Sequence, residues 1–324
     1  MEQLLKDLIQ FALEKKCTDI HFVLKNHHLD ITFRTEKGLE TIIQDIWNEN
    51  FFEYLKFKAN FDLTNPFLPQ SSQFEINSIS CRFSVIINLS IQTGVLRILN
   101  QKQNLTIEQL CHDQKTIADF YSFVNKRSGL IIFSGPTGSG KTTSLHAILH
   151  EISVRGLHKV VSLEDPIEIR DEKYLQLQIN EQQGFTYEKG IEELLRHDPD
   201  VIFIGETRNS YTAKMVLRAC LTGHLVFTTI HAKNGIETIN RLIDFGLPLK
   251  ELEMVLTSIV SCRLYNSIYG KECVYEVLSK ENLEFVIKNR KYENQFSTLK
   301  RKIKKNLDDG LIIDQQAEYD LFDL

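Results

Sequence analysis

The sequence predicts an α/β protein in which a parallel sheet covered by helices follows a smaller α+β domain. Three observations predict it. Past residue 100, the short apolar runs LIIFSG (130–135), KVVSL (159–163), VIFIG (201–205) and LVFTTI (225–230) alternate with helical patterns near 141–154, 187–197 and 211–222. Strands that alternate with helices lie parallel in a sheet covered on both faces. Before residue 100, short strand-like runs follow one another closely, as in hairpins. Between the first buried run and its helix sits a glycine-rich loop, Gly135-Pro-Thr-Gly-Ser-Gly-Lys-Thr142.

The elements follow in chain order. Leu5, Leu8, Ile9 and Ala12 recur on one face, so residues 2–15 read as an amphipathic helix. Thr18–Val23 and Leu29–Phe33 read as a hairpin joined by the polar turn Lys25–His28, and Phe74–Ile76, Ser80–Ile87 and Val95–Leu99 as further strands. The polar, aperiodic stretch NQKQN (100–104) reads as a linker. The expected division is thus an α+β domain over 1–100, a linker over 101–105 and a P-loop domain over 106–280. Residues 235–260 read as helical. Residues 281–324 form a C-terminal extension, basic over 288–305 and acidic over 308–324. It reads as a helical hairpin or tail with solvated charges. Sharper readings are a contact with a membrane protein or an anionic membrane surface, or pairing of the two tracts with each other.

Composition narrows the class. The 324 residues suit two domains, and 42% hydrophobic with 25% charged residues suits a globular protein. A collagen, a long disordered tail and a disulfide-rich mini-protein are excluded. A net charge of −5 argues against a whole-surface grip on nucleic acid, so no direct nucleic-acid partner is expected. Cys17, Cys81, Cys111, Cys220, Cys262 and Cys273 form no CxxC pair and no zinc-ligand spacing. Free thiols in a reducing cytoplasm are the simplest expectation. No apolar run approaches the ~18 residues of a membrane helix, and the charged N-terminus lacks a signal-peptide core. The expected location is cytoplasmic, peripheral at the inner face of the membrane through a partner.

The loop carries the clearest chemistry. It fits GxxxxGK[ST] with a strand before it and a helix after it. Gly135, Pro136, Thr137, Gly138, Ser139, Gly140, Lys141, Thr142 and Thr143 are therefore the expected nucleotide-binding residues. Glycines let backbone N–H groups turn toward phosphate oxygens, and the helix adds its positive N-terminal end. Lys141 is expected on the β- and γ-phosphates and the Thr142 hydroxyl on Mg²⁺.

Hydrolysis also needs an acid for the metal and a group that orients water. VIFIG, taken as a neighbouring strand, ends in Glu206, the only acid at that strand end, and KVVSL ends in Glu164. Acids at sheet carboxyl ends face a ligand bound there. Glu206 is expected to hold Mg²⁺ through water and Glu164 to polarise the attacking water, or the two with roles exchanged. His224 and His231 flank LVFTTI; each is read as a structural hydrogen-bonder or as a nucleotide sensor, with His224 counted among the catalytic candidates.

Four ordered segments resemble the signatures of the secretion and type IV pilus ATPase superfamily. They are GPTGSGKTT (135–143), LEDPIE (163–168), LLRHDPDVIFIGETRN (194–209) and TGHLVFTTIHA (222–232), similar to its Walker A, Asp box, Walker B and His box. LQLQINEQQGFTY, RLIDFGLP, CTDIHF and GVLRIL resemble further family segments, so the likeness covers about residues 5–280. It implies a PAS-like N-terminal domain and a RecA-like ATPase domain in a hexameric ring that binds ATP and Mg²⁺ and works with a polytopic membrane platform protein. Arg82 and Arg97 match arginines taken to approach the phosphates; a strand-edge surface pair is the alternative. Arg196 and Arg208 match family arginines of less defined role. Where longer members carry a tetracysteine zinc motif, this chain has only Cys262 and Cys273, so no structural zinc is expected. Asn209 replaces the family's Asp. The short chain resembles the competence branch, which implies a motor for a competence pseudopilus serving DNA uptake. Pilus retraction, another secretion system, a DNA translocase and a nucleotide-gated scaffold with little turnover are the alternatives.

Overall fold

The structure, a computed structural model, describes residues 1–35, 38–42, 47–65, 67–77, 79–88, 91–99 and 105–324. Contacts divide the chain into two compact units, Met1–Lys102 and Gln103–Leu324. The expected linker at 100–104 lies outside the described residues.

The first unit runs α1 (Glu2–Glu14), β1 (Asp19–Lys25), β2 (His28–Thr35), β3 (Gly38–Ile42), α2 (Glu49–Lys58), β4 (Gln70–Ile76), β5 (Ile79–Asn88) and β6 (Ile91–Ile98). The strands form one antiparallel sheet in the order β3-β2-β1-β6-β5-β4. Period-two alternation sends Ile20, Phe22, Phe33, Phe83 and Leu96 to one face, and α1 and α2 cover it with Leu5, Leu8, Phe51, Phe52 and Leu55. The opposite face carries a cross-strand row of Gln73, Arg82, Arg97, Asp19 and Arg34. Sequence reading passed over β3, a short strand whose Leu39 is exposed, and α2. Helix α2 had a readable start: Asn48 caps it by accepting from the Phe51 N–H, just ahead of the buried Phe51, Phe52 and Leu55.

The second unit runs α3 (Gln114–Val124), β7 (Gly129–Ser134), α4 (Lys141–Val154), β8 (Val160–Glu164), β9 (Leu175–Gln178), α5 (Tyr187–Leu194), β10 (Val201–Ile204), α6 (Ser210–Leu221), β11 (Leu225–Ile230), α7 (Gly235–Asp244), α8 (Leu249–Val255), β12 (Leu256–Ser267), β13 (Gly270–Leu278), α9 (Lys280–Asn289), α10 (Leu299–Asp308) and α11 (Gln316–Asp323). Its sheet order is β13-β12-β7-β11-β10-β8-β9, parallel from β12 to β9, with β13 antiparallel at one edge. Alternate residues feed two cores. Leu130, Ile132, Ile202 and Val226 pack toward α5–α9, while Ile131, Phe133, Phe203 and Phe227 pack toward α3 and α4. Burial on both faces explains why these strands read as continuous apolar runs. Among the described residues, no helix is long and apolar enough to cross a membrane.

Two expectations need correction. Residues 235–260 do not stay helical: α8 ends at Val255, and residues 256–260 open β12. Ile259, Val260 and Cys262 are buried there between β7 and β13, and periodicity cannot separate such an apolar run from a buried helix. This correction sets Ser261 opposite Ser134, at the foot of the phosphate loop. Second, the strand beside β7 on the Glu206 side is β11; β10, which precedes Glu206, is one strand further out.

The C-terminal extension packs onto the second unit. Leu299, Ile303, Ile312 and Ala317 bury against Tyr265 and Val274 of the β12–β13 hairpin. Its charged tracts also find partners on the second unit, Lys302 with Asp113 ahead of α3 at 2.8 Å and Asp320 with the Tyr265 hydroxyl of β12 at 2.6 Å. The buried Glu276 on β13 accepts hydrogen bonds from the backbone N–H groups of Gly235 and Leu299 and from the Tyr292 hydroxyl.

Candidate active site

Strand β7 delivers the chain into the glycine-rich loop, and α4 begins at Lys141. The glycines are required by geometry. Gly140, the N-cap residue of α4, has φ +91°, and a Cβ there would lie 2.5 Å from the Cys273 sulfur. A Cβ on Gly135 would meet Ser139 Oγ at 2.5 Å and the Cys262 carbonyl at 2.7 Å. The loop thus rests directly on the β12–β13 hairpin, with Cys273 Sγ donating to the Ser139 carbonyl. Pro136, Thr137 and Gly138 are exposed, while Thr142 and Thr143 at the start of α4 are half-buried.

Lys141 is buried and folds back to donate to the carbonyls of Gly135 at 2.9 Å and Pro136 at 2.7 Å. Burial pushes its pKa down from the ordinary lysine value, while the charges of Glu206 and Glu168 pull it back up.

The two strand-end acids differ in setting. Glu164 is 2% exposed. It accepts from Ser162 Oγ at 2.6 Å and Gln176 Nε2 at 3.1 Å, and its other oxygen lies 3.3 Å from His146 Nε2. His146 hydrogen-bonds in turn to the Tyr174 hydroxyl. Three partners thus fix this carboxylate. Glu206 is more open; it pairs with Arg208 Nε at 2.7 Å and with His231 Nε2 at 3.4 Å. Burial, and then the Lys141 charge, push His231 below the ordinary histidine pKa, against the pull of Glu206. Asn209 caps α6 by accepting from the Thr212 N–H, so the residue that departs from the family pattern has a structural task here.

The structure therefore gathers Lys141, Thr142, Glu164 and Glu206, with His231 beside them, at one end of the sheet. His224 stands apart from them in this chain. It precedes β11, at the opposite end, and its Nδ1 lies 3.1 Å from both the Ala219 carbonyl and Thr222 Oγ1. Arg82 and Arg97 belong to the first unit, where Arg97 Nε donates to Asp19 Oδ1 at 2.7 Å.

Sequence reading missed Ser162, His146 and Gln176, which position Glu164. Ser162 was legible, because two residues along a strand return to the same face. His146 and Gln176 gave no local signal, since only the fold brings α4 and β9 to the end of β8.

Among the described residues, no group of three or more His, Cys, Asp or Glu side chains converges to hold a metal by itself. The hydroxyl of Thr142 and the carboxylate of Glu206 are hard oxygen donors. Such a pair fits Mg²⁺, which takes one or two protein oxygens and completes its shell with water and phosphate.

A family model described as "Type II/IV secretion system protein" matches residues 1–297. The chain is 33% identical to "Competence protein ComGA" of Bacillus subtilis (strain 168), over 95% of this chain and 94% of that protein. It is 34% identical to the ComGA protein of Halalkalibacterium halodurans, over 80% of this chain and 76% of that one. The fold is similar to the crystal structure of the pilus retraction motor PilT with bound ADP, with a TM-score of 0.79 and 25% identity, covering 97% of this chain and 96% of that one.

Proposed function

This chain belongs to the family of type II/IV secretion system proteins, and from that premise we propose that it is a Mg²⁺-dependent motor ATPase that powers assembly of a competence pseudopilus. The supporting observation is the convergence of Lys141 with two differently held carboxylates, Glu164 and Glu206, at the carboxyl end of one sheet. Phosphoryl transfer asks for little more than positioning and charge stabilisation, and this set supplies both.

In the proposed reaction, the loop N–H groups cradle the phosphates, and Lys141 exchanges its two loop carbonyls for phosphate oxygens. Thr142 and Glu206 would hold Mg²⁺, which would supply charge neutralisation to the transferring phosphate. Glu164, its carboxylate oriented by Ser162, Gln176 and His146, polarises the attacking water. A positioned base of this kind is worth about 10²- to 10⁴-fold in rate. Arg82 and Arg97 are the further cations proposed to stabilise the charge that develops. The subunits form a hexameric ring docked at the inner face of the membrane on a polytopic platform protein.

The ComGA relatives, named as competence proteins, favour the pseudopilus and DNA uptake. The likeness to the PilT retraction motor favours a second reading, a motor that withdraws a pilus. Cells lacking this protein decide between them: loss of surface filaments supports assembly, and their excess supports retraction. The enzymatic core is tested by steady-state phosphate release from the purified protein. Turnover that survives both Lys141→Ala and Glu164→Gln would contradict the proposal.

A further inference from the structure

The cavity beside the phosphate loop has a wall that the proposed reaction does not use. It has a volume of about 480 Å³ and is lined by Gly135, Ser139, His231, Arg263, Asp320 and Asp323 among others. Arg263 lies on β12, which runs beside the strand that carries the loop. Its side chain is 7% exposed and donates to the carbonyls of Cys262 at 2.9 Å and Lys233 at 3.3 Å. Among the described residues, its Nε has no hydrogen-bond partner; Asp320 Oδ2, from α11, lies 3.6 Å away. A buried guanidinium is a strong site for a bidentate anion, and this one faces the cavity with one carboxylate, that of Asp320, against it among the described residues.

Helix α11 is itself set against ordinary helix electrostatics. Its last turn carries Asp320 and Asp323 and no basic residue, although the carboxyl end of a helix disfavours negative charge. Asp320 is held in place by the Tyr265 hydroxyl, and the backbone carbonyl of Asp323 accepts from Lys233 Nζ at 3.4 Å. The negative end of one helix is thus brought to the cavity where the positive end of α4 lies.

We propose that Arg263 is an anion-binding residue of the nucleotide pocket and that Asp320 occupies it as a built-in competitor of nucleotide phosphate. This rests on the reading of the loop as an ATP site. Phosphate bound in the cavity takes over the guanidinium, and repulsion between phosphate and the acidic turn weakens the hold on α11. Nucleotide affinity is then set partly by the C-terminal helix, and the docking of that helix reports whether the pocket holds phosphate.

Isothermal titration of the full-length chain with ATP and with inorganic triphosphate, in EDTA so that nothing turns over, tests this. Removing a competing carboxylate of this exposure, as in Asp320→Asn, tightens both Kd values by about threefold to tenfold. Tyr265→Phe, which loosens Asp320 without touching Arg263, gives a smaller gain. Arg263→Gln weakens binding and cancels the gain in the Arg263→Gln/Asp320→Asn double variant. An Asp320→Asn protein that binds as the wild type does, or more weakly, overturns the inference while leaving the ATP site standing. A wild type with no saturable binding, or binding unaffected by Lys141→Ala, removes the ATP reading and this inference together.

Discussion

The two ends of the seven-stranded sheet are made by the same strands, yet they have become different places. At the carboxyl end, Lys141, Glu164, Glu206, His231 and Arg263 crowd together, and several carry partners that ligand binding would exchange. At the amino end, Glu192, Arg196, Arg218, Thr222 and His224 line a second cavity of about 320 Å³. There His224 lies beside the Ala219 carbonyl, and Arg196 donates to the Glu192 carbonyl and pairs with Glu193, all within a few residues along the chain. Parallel strands put every strand-to-helix loop at the carboxyl end, together with the positive ends of the helices that follow. Adjacency in a motif is therefore not adjacency in a site. TGHLVFTTIHA sends its two histidines to opposite ends of a six-residue strand, ~20 Å apart at ordinary strand rise.

Lys141→Ala tests the carboxyl end hardest; phosphate release should fall about 100-fold or more, because a cation on the transferring group is lost. Glu164→Gln should lower turnover by about 10²-fold while ATP still binds, since a base acts in the transition state rather than in binding. Single-turnover kinetics beside equilibrium binding separates the two. In stability the largest change is expected at Glu276→Leu. It leaves the Gly235 and Leu299 N–H groups and the Tyr292 hydroxyl without their buried acceptor, and should cost about 2–5 kcal/mol in urea unfolding. His224→Ala should leave the ATP affinity of the isolated protein unchanged. A change as large as that from His231→Ala would erase the distinction between the two ends.

The smallest effect is a protonation. His231 should titrate below 6.5 by NMR, because burial and the Lys141 charge disfavour its cationic form. The sign for stability follows: as pH falls through 6.5, the unfolded chain takes up a proton that the folded chain refuses. This contribution to stability is therefore complete above 6.5 and declines below it, until the folded histidine also titrates. His27 in the first unit should move the other way, since its hydrogen bond to Glu49 holds its pKa above 6.5. A reversed order of the two would show that the charges around His231 are misassigned.

Much of this was legible in the sequence. Strands β7, β8, β10 and β11 announced themselves because burial on both faces leaves short apolar runs, and α4 was read at its observed bounds, Lys141–Val154. Glu164 and Glu206 were found because a strand end is visible locally. His146 and Gln176 were not, because their contacts with Glu164 span 18 and 12 residues and exist only once the sheet has formed. Arg263 gave no local signal: it lies past the 235–260 run read as helical, and only the pairing of β12 with β7 brings it beside the phosphate loop. Asp320 was hidden because an acidic stretch near the end of the chain looks like solvated charge, and nothing local reveals the buried arginine waiting 57 residues upstream.

Glu276 gives the second unit a path for force. One carboxylate holds the first residue of α7 and the first residue of α10. Helix α7 starts four residues beyond His231, which touches Glu206. The starts of α7 and α10 thus share one buried carboxylate, so a displacement of α10 that kept both bonds would move the start of α7 with it. The carboxylate acts as a rivet, and a load applied to the C-terminal helices would be felt where the γ-phosphate is expected to sit.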